Sequence, residues 1–195
     1  MNGKTTRNNI VDAADDLFYR HGYEHTSFAD IAAVVQISRG NFYYHFKTKD
    51  EILDAVIGVR LAETRAMLAG WEDAGETPED RIRGFIHMLI DNRADIRRYG
   101  CPVGTLCTEL AKLNHGALDQ ANALFTLFRS WLRKQFRAMG HKADADPLAM
   151  HLLAQSQGVA TLANAFGDEA FIRREVARMD AWLDSIAAGA AHQAH

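Results

Sequence analysis

The sequence predicts an all-α protein of about nine helices. Three observations carry that expectation. Apolar residues recur at three- and four-residue spacing along the 195-residue chain, strict period-two alternation and Asn-Gly hairpin turns are missing, and no β-branched cluster is long enough to feed a sheet. With 48% hydrophobic and 24% charged residues, the composition is that of a globular chain rather than a disordered one. Two cysteines make no disulfide framework and no secretory apolar segment follows Met1, so a reducing cytoplasm is the expected compartment. The net charge of −3 excludes a broadly basic surface, so a polyanionic partner has to be met by locally placed cations.

The first helix is expected from Arg7 to His21, with Ile10, Ala13, Ala14, Leu17 and Phe18 on one face, Thr6 as its N-cap and Gly22 just past its end. Ser27 opens a second helix, with Asp30 completing a capping-box pattern and Ile31, Val34 and Val35 forming the apolar face. Gln36 and Ile37 make a tight turn, and Ser38 caps a short third helix from Arg39 to Phe46. Thr48-Lys49-Asp50-Glu51 reads as a capping box for a fourth helix, which carries Ile52, Leu53, Val56, Val59 and Leu61. A loop is expected from Gly70 to Thr77. Pro78 then starts a fifth helix with Ile82, Phe85, Ile86, Leu89 and Ile90 inward, interrupted at Tyr99-Gly100-Cys101-Pro102 because proline donates no hydrogen bond. A short sixth helix reaches about Leu113, and a turn at Asn114–Gly116 leads into a seventh from Ala117 to Met139, stopped by Gly140. Asp146 is expected to cap the eighth helix with Pro147 at N1, and the ninth runs from Asp168 to Ile186. The Ala-rich tail from Ile186 to His195 is expected to fray. Residues 1–47 thus form a small unit that leads, without a flexible linker, into a bundle of residues 48–195.

The second and third helices, joined by a three-to-four residue turn, make a helix–turn–helix pattern whose second helix can lie in a DNA major groove. Its outward residues suit that task. Ser38 caps the helix and can reach a phosphate; Arg39 can fork to guanine O6 and N7 or bind phosphate; Gly40 admits close backbone approach; Asn41 can pair with adenine or bond to phosphate. Tyr43, Tyr44 and His45 offer stacking surface with polar tips. Lys49 at the N-terminus of the fourth helix, and Thr26 and Ser27 at that of the second, present charge, hydroxyls and free amides to phosphates. Phe42 and Phe46, four residues apart, read as core. A pair of Ser-capped short helices also occurs in helical proteins that never meet DNA, so the pattern alone leaves a protein-interaction module open.

The stretch from Thr26 through Ala32, then Ile37-Ser38-Arg39-Gly40-Asn41-Phe42-Tyr43-Tyr44-His45-Phe46-Lys47-Thr48-Lys49-Asp50-Glu51-Ile52-Leu53, resembles the N-terminal domain of TetR/AcrR-family transcriptional regulators. The resemblance covers about Arg7 to Leu53. It departs from the family at Gln36, where a glycine is usual; a position that favours positive φ implies a strained turn there. The resemblance implies a homodimer whose two heads bind a pseudo-palindromic, double-stranded operator. It places a small-molecule effector in the C-terminal bundle and makes repression, relieved by that inducer, the usual outcome. The segment Gly100-Cys101-Pro102-Val103-Gly104-Thr105-Leu106-Cys107 resembles a Gly-Cys segment of one group of these regulators, some of which sense electrophiles through a cysteine. Cys101 stands just before a helix start, where a thiol pKa is lowered; the plain alternative is that Cys101 and Cys107 are both small buried hydrophobes.

The eighth helix carries no charge between Leu148 and Gly167, so all its faces expect cover. One face can meet its own bundle and the other a second copy, with Ala154, Gly158 and Thr161 permitting close approach and Met179 and Trp182 of the ninth helix as anchors. A central helix within a monomer is the competing reading. Phe85, Leu89, Phe125, Phe128 and Trp131 are candidates to line an effector cavity, with Cys101 in the same candidate set; each apolar member is equally plain core, and Gln155 and Asn164 are candidates either for polar contacts to the effector or for hydrogen bonds across the dimer interface. The uncharged stretch holds His151, Gln155, Gln157 and Asn164, which argues against a membrane span. No phosphate loop, zinc-protease motif or serine elbow marks an enzyme, and neither cofactor nor metal is expected. His141, His151 and the acids near them are explained by loop and cap roles, and the terminal His192 and His195 belong to the tail. Residues 1–50 carry as many basic as acidic side chains, so the excess acid lies outside the head.

Overall fold

A computed structural model describes residues 5–193, with side chains to residue 189, and every regular element among them is a helix. In order these are α1 (Thr6–His21), α2 (Phe28–Val35), α3 (Arg39–His45), α4 (Lys49–Ala74), α5 (Pro78–Asp91), α6 (Arg93–Tyr99), α7 (Pro102–Lys112), α8 (Leu118–Ala138), α9 (Ala145–Phe166) and α10 (Glu169–Gln193). The predicted fifth helix turns at Asn92, whose backbone closes both neighbours, and is labelled α5 and α6; counted as one, the nine expected helices are present among the described residues. His195 lies outside the described residues, as does the His192 side chain. Helix α10 runs past the expected stop at Ile186 to Gln193, and α4 continues through the expected loop start at Gly70.

Most helix ends follow the sequence chemistry. Ser27 and Thr77 each close a full capping box with Asp30 and Asp80. Three ends are corrected. Thr5, not Thr6, accepts from the Asn8 amide at the start of α1. At α4 the Thr48 hydroxyl accepts from Glu51 N–H, but the Glu51 carboxylate reaches one residue further back, to Lys47 N–H at 2.7 Å. Asp146 does not cap α9: the helix begins at Ala145, and the Asp146 carboxylate takes a two-pronged contact from Arg129 at 2.9 and 2.6 Å. That bidentate pair satisfies the carboxylate better than an exposed amide does.

The chain forms two compact units. The first takes the N-terminal segment through Glu63 together with Pro102–Leu124, so α7 belongs with α1–α3. Its core holds Ile10, Phe18, Ile31, Phe42, Phe46, Leu53 and Leu110, all nearly inaccessible. Arg60 is 9% exposed and fully employed: it donates to Asp15 at 2.6 Å and to the Pro102 carbonyl at 2.8 Å, tying α4 to α1 and to the first residue of α7. The second unit takes Thr64–Cys101 and the chain from Phe125 on. Phe85, Phe136, Leu152, Ile172 and Leu183 centre its core, and Arg83 links α5 to α10 through Asp184 at 2.6 Å.

Candidate nucleic-acid interface

The α2–α3 turn is built by a left-handed residue. Gln36 has φ 58° and ψ 43°; its N–H donates to Ala33 and the Ile37 N–H to Ala32, a Schellman closure of α2. The strain expected from a non-glycine residue at this position is therefore present. Ser38 follows in extended conformation, and its hydroxyl accepts from the Asn41 amide at 3.3 Å, starting α3. Phe42 faces inward at 1% exposure, with the Phe28 ring 5.0 Å away. That anchor turns Arg39, Gly40, Asn41, Tyr43 and Tyr44 outward. Tyr44 is 79% exposed, with its ring edge-on to the half-buried His45, while Tyr43 leans on Phe28. Arg39 has no ion-pair or hydrogen-bond partner among the described residues, so its guanidinium is available. A methyl group at Gly40 would meet nothing within 4 Å, so close approach by another molecule is open there.

Two of the sequence candidates are corrected. Thr26 is 2% exposed and its hydroxyl donates to the Gly22 carbonyl at 2.8 Å, which removes its side chain from any phosphate. Lys49 is half-buried, and its ammonium donates to the carbonyls of Tyr23, Glu24 and Thr26 at 2.9, 3.2 and 3.2 Å. All three ammonium donors are thereby committed within the fold. Ser27 remains exposed, although its hydroxyl is engaged with Asp30. Two further cations of this unit are Arg7, stacked over the Phe46 ring at 4.7 Å, and Lys47, whose ammonium meets the Tyr43 carbonyl.

A polar cluster stands behind this face. The Tyr23 hydroxyl donates to Asp50 at 2.5 Å. Burial, followed by the bond to Asp50, pushes the Tyr23 phenol pKa well above its usual value, and the same bond holds the Asp50 carboxyl below the ordinary range. His115 accepts the Ala117 amide at Nδ1, which assigns its proton to Nε2, 3.3 Å from the Tyr23 hydroxyl and 3.4 Å from Asp50.

The candidates on the second unit divide. On α9, Ala154, Gly158 and Thr161 are exposed, and so are Met150, Leu162 and Phe166, at 42, 45 and 79%, which the uncharged-helix argument did not single out. The four-residue spacing 150–154–158–162–166 was the available signal. Met179 is corrected: at 2% exposure it belongs to the unit's own core, and Trp182 packs on Phe136 and His151. Phe85, Leu89, Phe128 and Trp131 are buried, with Phe85 and Phe128 rings edge to face at 5.6 Å, and Phe125 and Cys101 pack half-buried on the same core. Asn164 is exposed and donates to the Arg97 carbonyl. The Gln155 side-chain oxygen is buried with no hydrogen-bond partner among the described residues. His141 meets the Ile186 carbonyl.

A capped short helix with a free arginine, an asparagine and two tyrosines outward, set by a tight turn on a second helix, defines a helix–turn–helix DNA-binding transcriptional regulator. Residues 10–56 match the bacterial regulatory proteins of the tetR family, and residues 78–178 match the LmrA/YxaF-like transcriptional regulator C-terminal domain. The chain belongs to the tetR family. It is 30% identical over 80% of its length, and 82% of the other's, to an uncharacterized helix–turn–helix-type regulator from the lacX 3′ region of Lactococcus lactis subsp. lactis. It is 24% identical to the transcriptional repressor DhaR of Mycobacterium sp. strain GP1, over 65% of this chain and 62% of that one. Among solved structures, a TetR regulator of Legionella pneumophila superposes with a TM-score of 0.83 at 24% identity, over 95% of this chain and 98% of that one. One from Agrobacterium tumefaciens gives 0.80 at 24% identity, over 90% and 95%. Family members bind DNA operators and act as dimers. No described helix is long and apolar enough to cross a membrane.

Proposed function

We propose that the chain is a cytoplasmic homodimeric repressor whose two heads read the half-sites of a pseudo-palindromic operator, and that a small molecule held by the C-terminal bundle releases it. The observation that carries the reading is the outward face of α3, where Arg39, Asn41 and Tyr44 project from a helix capped by Ser38. The α9 stripe from Met150 to Phe166 supports pairing of two copies, because an apolar helix face of this kind favours cover. The unpaired Gln155 oxygen supports a polar contact to an effector, since a buried acceptor without a donor is unfavourable. The name of the Mycobacterium relative, a repressor, is consistent with the sign of the regulation.

Selection from a random-sequence duplex pool with the purified chain tests the reading. An enriched inverted repeat is the expected result, with binding that weakens steeply as salt rises. Recovery of no preferred sequence at low salt would sink it and favour the protein-interaction alternative.

A further inference from the structure

Helix α7 comes late in the sequence, yet one of its side chains grips the connection between α1 and α2. The Glu109 carboxylate accepts the Tyr23 N–H through Oε2 and the Glu24 N–H through Oε1, both at 2.9 Å. Lys49 grips the same connection through its carbonyls. The short segment that leads into α2 is therefore held by an anion on its amides and a cation on its carbonyls. Gly22 belongs to the arrangement: it has φ 89°, and a Cβ there would lie 3.0 Å from Glu109 Oε1. The first residue of α7 is fixed separately, by Arg60 on the Pro102 carbonyl.

We propose that Glu109 is a positioning residue for operator reading: by binding the Tyr23 and Glu24 amides it holds α2 and α3 in the orientation that fits DNA. The proposal rests on the DNA-reading function above. It makes α7 the element whose displacement would loosen the reading pair, through a contact that needs no change in α3 itself. In the free head a fraction of molecules has this contact formed, and the apparent affinity for a specific site scales with that fraction. Non-specific affinity, set by phosphate charge, does not require the same orientation.

The test compares wild type with Glu109→Gln on two duplexes: the one wild type enriches from the random pool, and a scrambled duplex of equal length and composition. Loss of a charge-assisted pair of bonds is expected to weaken binding to the enriched duplex by about tenfold or more, with the scrambled duplex changed by less than about twofold. Hydrogen exchange at the Tyr23 and Glu24 amides should accelerate in the variant, a readout that needs no DNA. A wild-type ratio of the two affinities, or unchanged exchange at both amides, overturns the proposal. If no duplex is enriched by wild type, the regulator reading fails and the proposal falls with it; unchanged exchange beside an enriched wild-type duplex overturns the proposal alone. Should Glu109→Gln lose the helical signal of the head, Glu109→Asp, which keeps the charge and shortens the reach, takes its place. In that variant the same split supports the proposal, and an unaltered ratio overturns it.

Discussion

A side chain beyond glycine carries strain in the left-handed region, and Gln36 has one at φ 58°. Its neighbours hold it there because the Schellman bonds need that geometry. Gln36→Gly should relieve roughly 1–2 kcal/mol of backbone strain. It should give back about 0.4–1 kcal/mol through the freer unfolded chain. A modest net gain in stability follows, read as a higher urea midpoint with an unchanged slope. Arg39 makes the complementary case of a residue the fold does not use. Because nothing among the described residues engages its guanidinium, Arg39→Ala should leave the melting temperature within about a degree, since exposed substitutions away from special features change stability little. On the selected duplex it should cost about 1–3 kcal/mol and relax the preference at one base pair if the contact is to a base, as quantitative gel shifts with single-base variants would show. Lys49 looked equivalent in the sequence. A cation at a helix start invites a phosphate, but in the fold three carbonyls already occupy it.

At the scale of elements, the helices and most of their caps were legible, because periodicity and capping are local. Ser27, Ser38 and Thr77 do what their neighbours in sequence imply. Asp146 did not, because its partner Arg129 lies on another helix and competes with the local cap. The turn at Asn92 was missed since no proline or glycine marks it. For α9 the lack of charge indicated cover on every side, but which residues point away from the bundle depends on how α9 packs against α5, α6 and α10. The outward stripe of Met150, Leu162 and Phe166 is apolar and runs with Ala154 and Gly158. Phe166→Glu places a charge on this stripe while leaving the internal core untouched. On the proposed pairing, sedimentation equilibrium should show a dimer for wild type and monomer for the variant at the same concentration, with circular dichroism unchanged. A dimeric Phe166→Glu would move the interface elsewhere.

At the scale of the molecule, the sequence divides at residue 47, whereas the compact unit that contains the reading helix also takes Pro102–Leu124. Nothing local announces this. Glu109 and its amide donor Tyr23 stand 86 residues apart, and a carboxylate on an amphipathic helix reads as solvated surface until its partners are in view. Net charge, by contrast, was informative once divided, since a head of balanced charge needs placed donors rather than a cationic coat.

The α9 stripe has a consequence for the life of a newly made chain. A single copy presents a 79%-exposed phenylalanine beside an exposed leucine and methionine, an apolar surface of the kind that favours association. Stability and abundance then become linked: if pairing covers the stripe, the apparent melting temperature should climb with protein concentration, and calorimetry across a hundredfold dilution series would reveal the slope. A cell holding few copies would keep part of them as solitary chains with one head each, so the level of expression would itself tune how tightly the operator is held.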